Sequence, residues 1–200
     1  MKKNTSTKLA KRLAKYGALS AAVLGVADAS GQVTYTDVSP DIVLELGDTF
    51  DIDFTGAAGQ ANVQISNPDG LAGGTAALAF PSSGGAMVGF TAGGYEYPLV
   101  LVDGDVIDGA SGYTTPGVRG DLNYYGCAYS NSQWCDFVED GILGVTFQFN
   151  GNTHYGWVRM DTDVGSSDQI TVKGYAFQAE PDAAIEAGDE GTLGNNDNNL

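Results

Sequence analysis

The chain has 200 residues, of which 42% are hydrophobic, and it carries a formal net charge of −16. This length and apolar content fit a single folded domain with a packed core. The acidic charge excludes nucleic acid as a partner and disfavours an anionic membrane surface, because phosphate binding requires clustered cations.

Residues 1–29 have the composition of an export signal. The segment "MKKNTSTKLAKRLAK" holds six cations and no acid, and the apolar run "YGALSAAVLGVADA" follows it. The small residues Ala27 and Ala29 predict cleavage after Ala29. The apolar run is too short to span a bilayer, and no second run reaches spanning length. We therefore predict an exported chain without a membrane span, extracellular or at the cell surface, with the periplasm as the alternative.

The predicted mature chain is more acidic than the full chain. Residues 1–29 hold six of the nine cations and one of the 25 acids, so their removal changes the net charge from −16 to −21. Only Arg119, Arg159 and Lys173 remain as cations. Such a surface is typical of a protein adapted to salt, or of one that binds divalent cations.

The elements predicted along the chain are all strands. Short runs of β-branched and aromatic residues recur between Gly, Asp, Asn and Ser, and no window after the signal keeps a helical period over ten residues. The candidate strands are 33–36, 42–46, 49–54, 61–66, 75–80, 86–91, 98–102, 134–138, 142–149, 153–161 and 169–179. This pattern predicts an all-β fold, an antiparallel β-sandwich of jelly-roll type over 30–188, with a disordered acidic and Asn-rich tail at 189–200.

The segment 103–121 is a long connection rich in Gly and Asp, typical of binding loops on a rigid scaffold. Its first part, "DGDVID", supplies Asp103, Asp105 and Asp108 in a tight turn. Carboxylate oxygens that converge from such a turn suit Ca²⁺, although the spacing is not that of an EF-hand. Calcium at these three residues is the one cofactor that the sequence suggests.

Cys127 and Cys135 are the only cysteines, and they enclose "AYSNSQW". Since an exported chain meets oxidising conditions, we predict a disulfide between them. A metal pair is the less favoured alternative, because no His or further Cys lies nearby.

The segment "THYGWVRMD" holds the only histidine and one of the two tryptophans. Alternation in a strand places Tyr155, Trp157 and Arg159 on one face. The segment 169–179 predicts the next strand of a hairpin, and a turn centred on Ser166 sets the register. That register gives the pairs Tyr155–Phe177, Trp157–Tyr175 and Arg159–Lys173.

This predicted ladder allows two interpretations. Trp157 and Tyr175 could stack on a sugar ring, with Tyr155 beside them and Arg159 bonded to the sugar hydroxyls. Alternatively, the same rings form a buried aromatic core, as exported sandwiches often bury a Trp. We interpret the lone His154 as a hydrogen-bonded structural residue.

The motifs of common enzymes are missing from the sequence. The sequence has no G-x-S-x-G motif whose serine the single histidine could activate, and it has no Gly-rich phosphate loop with Lys. We therefore expect a non-enzymatic protein with a binding or structural role, whose partner is a glycan or extracellular matrix. The alternative is a polysaccharide-active hydrolase that uses paired carboxylates. An exposed row of aromatic rings would favour binding, and a cleft with two carboxyl groups would favour hydrolysis. A buried Trp157 with no cleft would favour a purely structural role.

Two stretches resemble a group of exported bacterial proteins. They are "TYTDVSPDIVL" and "LGVTFQFNGNTHYGWVRMD" followed by "ITVKGYAFQAEPDAAIEAGD". The group's pattern is roughly N-G-x-x-H-Y-G-W, then Y-A-Y-E, then I-x-A-G. The resemblance implies export and a β fold, and it brings no activity with it. Such proteins often end in a membrane-sorting tail, whereas this chain ends in "NNDNNL", so release or non-covalent retention is expected.

Overall fold

The fold is built from β-strands. The computed structural model describes residues 32–56, 61–68, 76–124, 127–135, 137–163 and 168–191. These residues form thirteen strands and include no helix. None of them therefore lies in a helix that could cross a membrane. The predicted signal at 1–29 and the tail beyond Gly191 lie outside the described residues.

In chain order the strands are β1 (Val33–Leu44), β2 (Asp48–Ile52), β3 (Val63–Asn67), β4 (Ala76–Pro81), β5 (Ala86–Met87), β6 (Gly89–Ala92), β7 (Tyr95–Pro98), β8 (Val106–Ile107), β9 (Gly120–Tyr124), β10 (Phe137–Phe149), β11 (Asn152–Asp163), β12 (Gln169–Gln178) and β13 (Ile185–Glu186). The predicted strands at 33–36 and 42–46 belong to one strand, β1. Residues 98–102 do not form the strand predicted there, because β7 ends at Pro98. The predicted connection at 103–121 contains β8 and the start of β9.

The strands form two main sheets and one small ribbon. The five-stranded sheet has the order β1-β12-β11-β10-β5, and the six-stranded sheet has the order β2-β3-β4-β9-β7-β6. β8 and β13 form the ribbon. Neighbouring strands are antiparallel except β7 and β9, which are parallel and pair at Glu96 and Gly120. The predicted all-β sandwich is confirmed, with this one parallel pair in it.

The main core lies between the two large sheets. Alternate residues of β10, β11 and β12 meet alternate residues of β2, β3, β4 and β9 in one buried cluster. Phe147 on one sheet stacks on Phe54, which follows β2, with ring centroids 5.0 Å apart. Burial of this apolar surface is the main source of stability for such a fold.

A second, smaller core covers the opposite face of the five-stranded sheet. Here Trp157 and Ile142 pack against Ile107 of β8 and Ile185 of β13. The five-stranded sheet is therefore buried on both faces. The six-stranded sheet contacts the main core with one face, and its other face, called here the outer face, carries several exposed side chains.

The register between β11 and β12 differs from the predicted one over half of its length. Pairing from Met160–Val172 to Asp163–Gln169 follows the prediction, but a bulge then shifts the strands by one residue. Lys173 is the extra residue, so Trp157 lies opposite Ala176 and Arg159 opposite Gly174. The predicted pairs Tyr155–Phe177, Trp157–Tyr175 and Arg159–Lys173 are wrong, since a slip of one residue exchanges the two faces.

Candidate functional site

Trp157, the centre of the predicted sugar platform, has no exposed surface. Its indole packs on Tyr35 of β1, with ring centroids 5.8 Å apart, and its Nε1 donates a hydrogen bond of 3.2 Å to the carbonyl oxygen of Asp189. The segment that carries β13 thus covers this face of the sheet. A ring buried in this way presents no surface on which a sugar could stack.

The other residues of the predicted platform are separated from one another. Tyr155 is buried on the same side as Trp157, whereas Tyr175 packs against the main core on the opposite side of the sheet. Arg159 lies 5.6 Å from the Trp157 ring, and its Nη2 is 2.8 Å from Oδ1 of the exposed Asp103. The structure therefore brings Tyr155, Trp157 and Arg159 together as a packed group and places Tyr175 elsewhere.

The three aspartates of the predicted calcium site each have a local partner. Asp103 pairs with Arg159, and Asp105 accepts a hydrogen bond of 3.0 Å from the backbone N–H of Val102. Asp108 accepts one of 2.8 Å from the N–H of Ala110. Across the described ranges, no three carboxylate, imidazole or thiol groups lie close enough to hold a metal ion. The geometry thus gives the calcium prediction no support at this turn.

His154 occupies a closed position in the main core. Its Nδ1 is 2.9 Å from the carbonyl oxygen of Gln178, and its ring stacks on Phe147 with centroids 5.7 Å apart. Only 3% of the residue is exposed. These contacts are those of the structural, hydrogen-bonded histidine that the sequence suggests.

A group of aromatic rings, some exposed and some buried, lies on the outer face of the six-stranded sheet. Phe90 of β6 pairs with Tyr97 of β7, and their ring centroids are 5.6 Å apart. Alternation places Tyr95 on the same face as Tyr97. Phe90 is 37% exposed and Tyr95 is 43% exposed, so both rings present a face to solvent.

The disulfide loop adds a further ring to this group. Cys127 and Cys135 are bonded, as predicted, with Cα atoms 5.6 Å apart. The buried Asn123 ties both ends of the loop, because its Oδ1 accepts from the N–H of Cys127 and its Nδ2 donates to the carbonyl of Trp134. Within the loop, Tyr129 lies with its ring centroid 5.5 Å from that of Tyr95.

Tyr124, at the end of β9, connects the rings to a cation. Its centroid is 6.2 Å from that of Tyr129, and the guanidinium carbon of Arg119 lies 5.4 Å from the Tyr124 centroid. We call these five rings the aromatic patch: Phe90, Tyr95, Tyr97, Tyr124 and Tyr129.

Arg119 forms an ion pair with the buried Asp121. The two side chains alternate onto the outer face of β9, and Nη2 of Arg119 lies 2.9 Å from Oδ1 of Asp121. About a third of Arg119 is exposed, but only 6% of the Asp121 side chain is. The buried Oδ1 of Asp121 thus has the guanidinium of Arg119 as its charged partner.

The electrostatics of the patch are set by two buried carboxylates on neighbouring strands. Burial raises the pKa of Asp121, and the charge of Glu96 adds to the rise, while Arg119 opposes it. Burial would also raise the pKa of Glu96, but hydrogen bonds from Thr91 and Thr115 outweigh it and the pKa is lowered. Because Glu96 alternates with Tyr95 and Tyr97, it projects to the face opposite Asp121.

Sequence reasoning missed the aromatic patch. The alternation in "GGYEYP" after a Gly-Gly turn signals one strand with Tyr95 and Tyr97 on the same face. Nothing local signals that β7 and β9 lie side by side, because their pairing is parallel and spans a long connection. The neighbourhood of Tyr95, Tyr129 and Arg119 is a product of the tertiary fold.

Comparison of the chain with known proteins finds no relative. No protein-family model, no curated protein and no solved structure matches the chain. The arrangement of Tyr95, Tyr129 and Arg119 is the strongest indication of function that the described residues offer.

Proposed function

We propose that the protein is a non-enzymatic, exported glycan-binding protein and that the aromatic patch is its binding surface. The observation that carries the proposal is the contact chain of Tyr95, Tyr129 and Tyr124 on the outer face, with half-buried Arg119 at its end. Stacking on such rings removes the apolar C–H face of a pyranose from water. Tyrosine suits this role because it offers a large rigid ring at low entropic cost.

The rigidity of the patch supports binding rather than simple exposure. Tyr129 is held by a covalent loop whose two ends are also bonded to Asn123, and Tyr97 is buried beside Phe90. A preformed surface loses little conformational entropy when a ligand binds. The rings therefore form a preorganised surface for a ligand.

The negative charge of the chain favours neutral glycans over acidic ones. With 25 acids and nine cations, six of them within the predicted signal, the molecule repels sulfated and uronic polysaccharides. The one cation at the patch, Arg119, is compensated by Asp121. A neutral polysaccharide of the extracellular matrix or a cell surface is thus the partner we propose.

The hydrolase alternative has weaker geometric support. Asp121 and Glu96 are the buried carboxylates nearest the patch, and their pKa values are shifted in opposite directions, as in an acid–base pair. They project to opposite faces of one sheet, however, whereas glycoside hydrolysis needs both groups beside the same bond.

The test compares two exposed rings. The wild-type protein, Tyr95→Ala and Phe137→Ala are applied to a panel of neutral and acidic glycans, and binding is followed by calorimetry. Phe137 is 57% exposed on β10 of the five-stranded sheet and is not one of the patch rings, so its loss is a matched control. We expect the wild type and Phe137→Ala to bind a neutral glycan and Tyr95→Ala to bind it about tenfold more weakly.

Three results would contradict the proposal. The wild type could bind no glycan, or Tyr95→Ala could bind as well as the wild type. Release of reducing ends from a bound polysaccharide would favour the hydrolase instead.

A further inference from the structure

Arg119 is the polar group best placed to recognise a ligand on the aromatic patch. Arg159 and Lys173, the other cations after the predicted signal, lie on the five-stranded sheet and are paired with Asp103, Asp140 and Asp161. Of these three cations, Arg119 alone contacts a ring of the aromatic patch, the half-buried Tyr124. The next residue, Gly120, pairs with Ala79, so Arg119 lies beside the exposed Phe80 on the outer face.

The guanidinium of Arg119 is fixed in place on two sides. The Tyr124 ring and the buried Asp121 carboxylate both contact it, while about a third of the side chain stays open to solvent. A guanidinium presents several N–H donors in a rigid planar fork. Held in this way, it can direct two donors at two neighbouring oxygens of a ligand.

Asp121 fixes the position of Arg119. Its Oδ1 is buried and lies 2.9 Å from Nη2 of Arg119, so this oxygen faces the guanidinium and is closed to a ligand. The N–H groups on the solvent side of Arg119 can donate to the hydroxyl oxygens of a sugar. A carboxylate ligand would be repelled by Asp121 and by the acidic chain.

We propose that Arg119 and Asp121 are the recognition pair of the aromatic patch and that its ligand is a neutral saccharide with two adjacent hydroxyl groups. This inference rests on the proposed glycan binding and adds the ligand class and the residues that select it. The tyrosines bind the ring faces of the saccharide. Arg119 binds the adjacent hydroxyls, and Asp121 orients Arg119.

The test uses pairs of oligosaccharides with the same linkage, in which every sugar of the acidic member carries a carboxylate in place of the hydroxymethyl group. An α-linked galactan oligosaccharide and oligogalacturonate form one pair, and a β-linked mannan oligosaccharide and oligomannuronate form another. The variant is Arg119→Lys, which keeps the charge opposite Asp121, and so the fold, but loses the planar fork. We expect the wild type to bind the neutral member at least about tenfold more tightly, and Arg119→Lys to bind it about tenfold more weakly than the wild type does.

The possible outcomes separate this inference from the proposed function. Binding that is lost in Tyr95→Ala but unchanged in Arg119→Lys would overturn the recognition pair and leave glycan binding in place. Preference of the wild type for the uronate would overturn the ligand class. Failure of every pair to bind the wild type would overturn both proposals. Thermal unfolding of Arg119→Lys, compared with the wild type, confirms that a weaker response reflects recognition rather than a lost fold.

Discussion

At the scale of single residues, Glu96 shows how a carboxylate can be buried at the edge of the patch. Its Oε2 accepts a hydrogen bond of 2.6 Å from the Thr91 hydroxyl and one of 2.9 Å from the N–H of Thr115. Both donors belong to segments that flank the exposed rings. Hydrogen bonds to the charged form keep the carboxylate ionised despite its burial.

We expect Glu96→Gln to lower the free energy of unfolding by about 1 kcal/mol at neutral pH. Because the pKa is lowered in the folded state, this contribution is present above the ordinary value of 4.5 and is lost as the pH falls through the folded value. Urea unfolding at several pH values should therefore show the wild type and variant converging in acid. The exposed Glu45→Gln serves as control, and an equal difference at all pH values would contradict the expectation.

The residue scale also shows what the sequence can and cannot predict. Alternation in β11 correctly places Tyr155, Trp157 and Arg159 on one face, since side-chain direction is a local property. The bulge at Lys173 is not local, because Lys173 bonds Asp140 and Asp161 on other strands at 2.6 Å and 2.7 Å. That single extra residue separates Tyr175 from Trp157, and so the predicted platform could not be corrected from sequence alone.

At the scale of elements, the ribbon of β8 and β13 covers Trp157 and so buries it. Each strand has only two residues, too few to give a pattern in the sequence. Gly188 follows the ribbon with a φ of +80°, and a side chain there would collide with Asp103 and Arg159. The backbone conformation favours glycine, and an added Cβ would push the flexible Asp103 side chain away from Arg159.

Gly188→Ala is therefore expected to destabilise the protein more than an open glycine would. Gly151, in the turn between β10 and β11, has a φ of +79° and nothing within 4 Å of the added Cβ. Its replacement by Ala should cost about 1–2 kcal/mol from backbone strain alone. We expect Gly188→Ala to exceed this cost slightly in urea unfolding, because Asp103 must move away from Arg159. Equal losses in the two variants would show that the displaced ion pair contributes nothing measurable.

The disulfide loop is the second element on which the proposed glycan binding depends. Replacement of Cys127 and Cys135 by Ser should lower the free energy of unfolding by about 2–3 kcal/mol, because the unfolded chain regains the freedom of the loop. It should also weaken glycan binding, since Tyr129 loses its covalent support. Reductant should affect the wild type in the same direction and leave the double variant unchanged. Unaltered binding in the double variant would show that Asn123 alone positions Tyr129.

At the scale of the whole molecule, excess negative charge opposes the compact state. The net charge of −16 produces self-repulsion, whereas the four ion contacts of the described residues favour folding. Salt screens both effects, but they respond with opposite sign. Because acids far outnumber the pairs, repulsion should dominate.

We expect the free energy of unfolding in urea to rise as sodium chloride increases from about 0.02 M to about 0.5 M, with most of the change at low salt, where the Debye length is long. A stability that falls with salt would show that the ion pairs of Arg119, Arg159 and Lys173 outweigh the repulsion. Urea is the suitable denaturant, because guanidinium is itself a salt.

The overall sandwich is predictable because alternating strands and turn residues recur along most of the chain. The patch is not, because it depends on the parallel pairing of β7 with β9 and on a loop closed by Cys127 and Cys135. Local patterns thus identify the scaffold, while the neighbourhood of Tyr95, Tyr129 and Arg119 arises only when distant segments meet.

The pairing of β1 with β12 has a mechanical consequence. Val33 is paired with Gln178, the N–H of Ala179 donates to the carbonyl of Gln32, and Gly191 lies against Val33. The first and last residues that the structure describes thus lie side by side. A force applied through both would load one hydrogen bond of this strand pair at a time and peel it open at low tension.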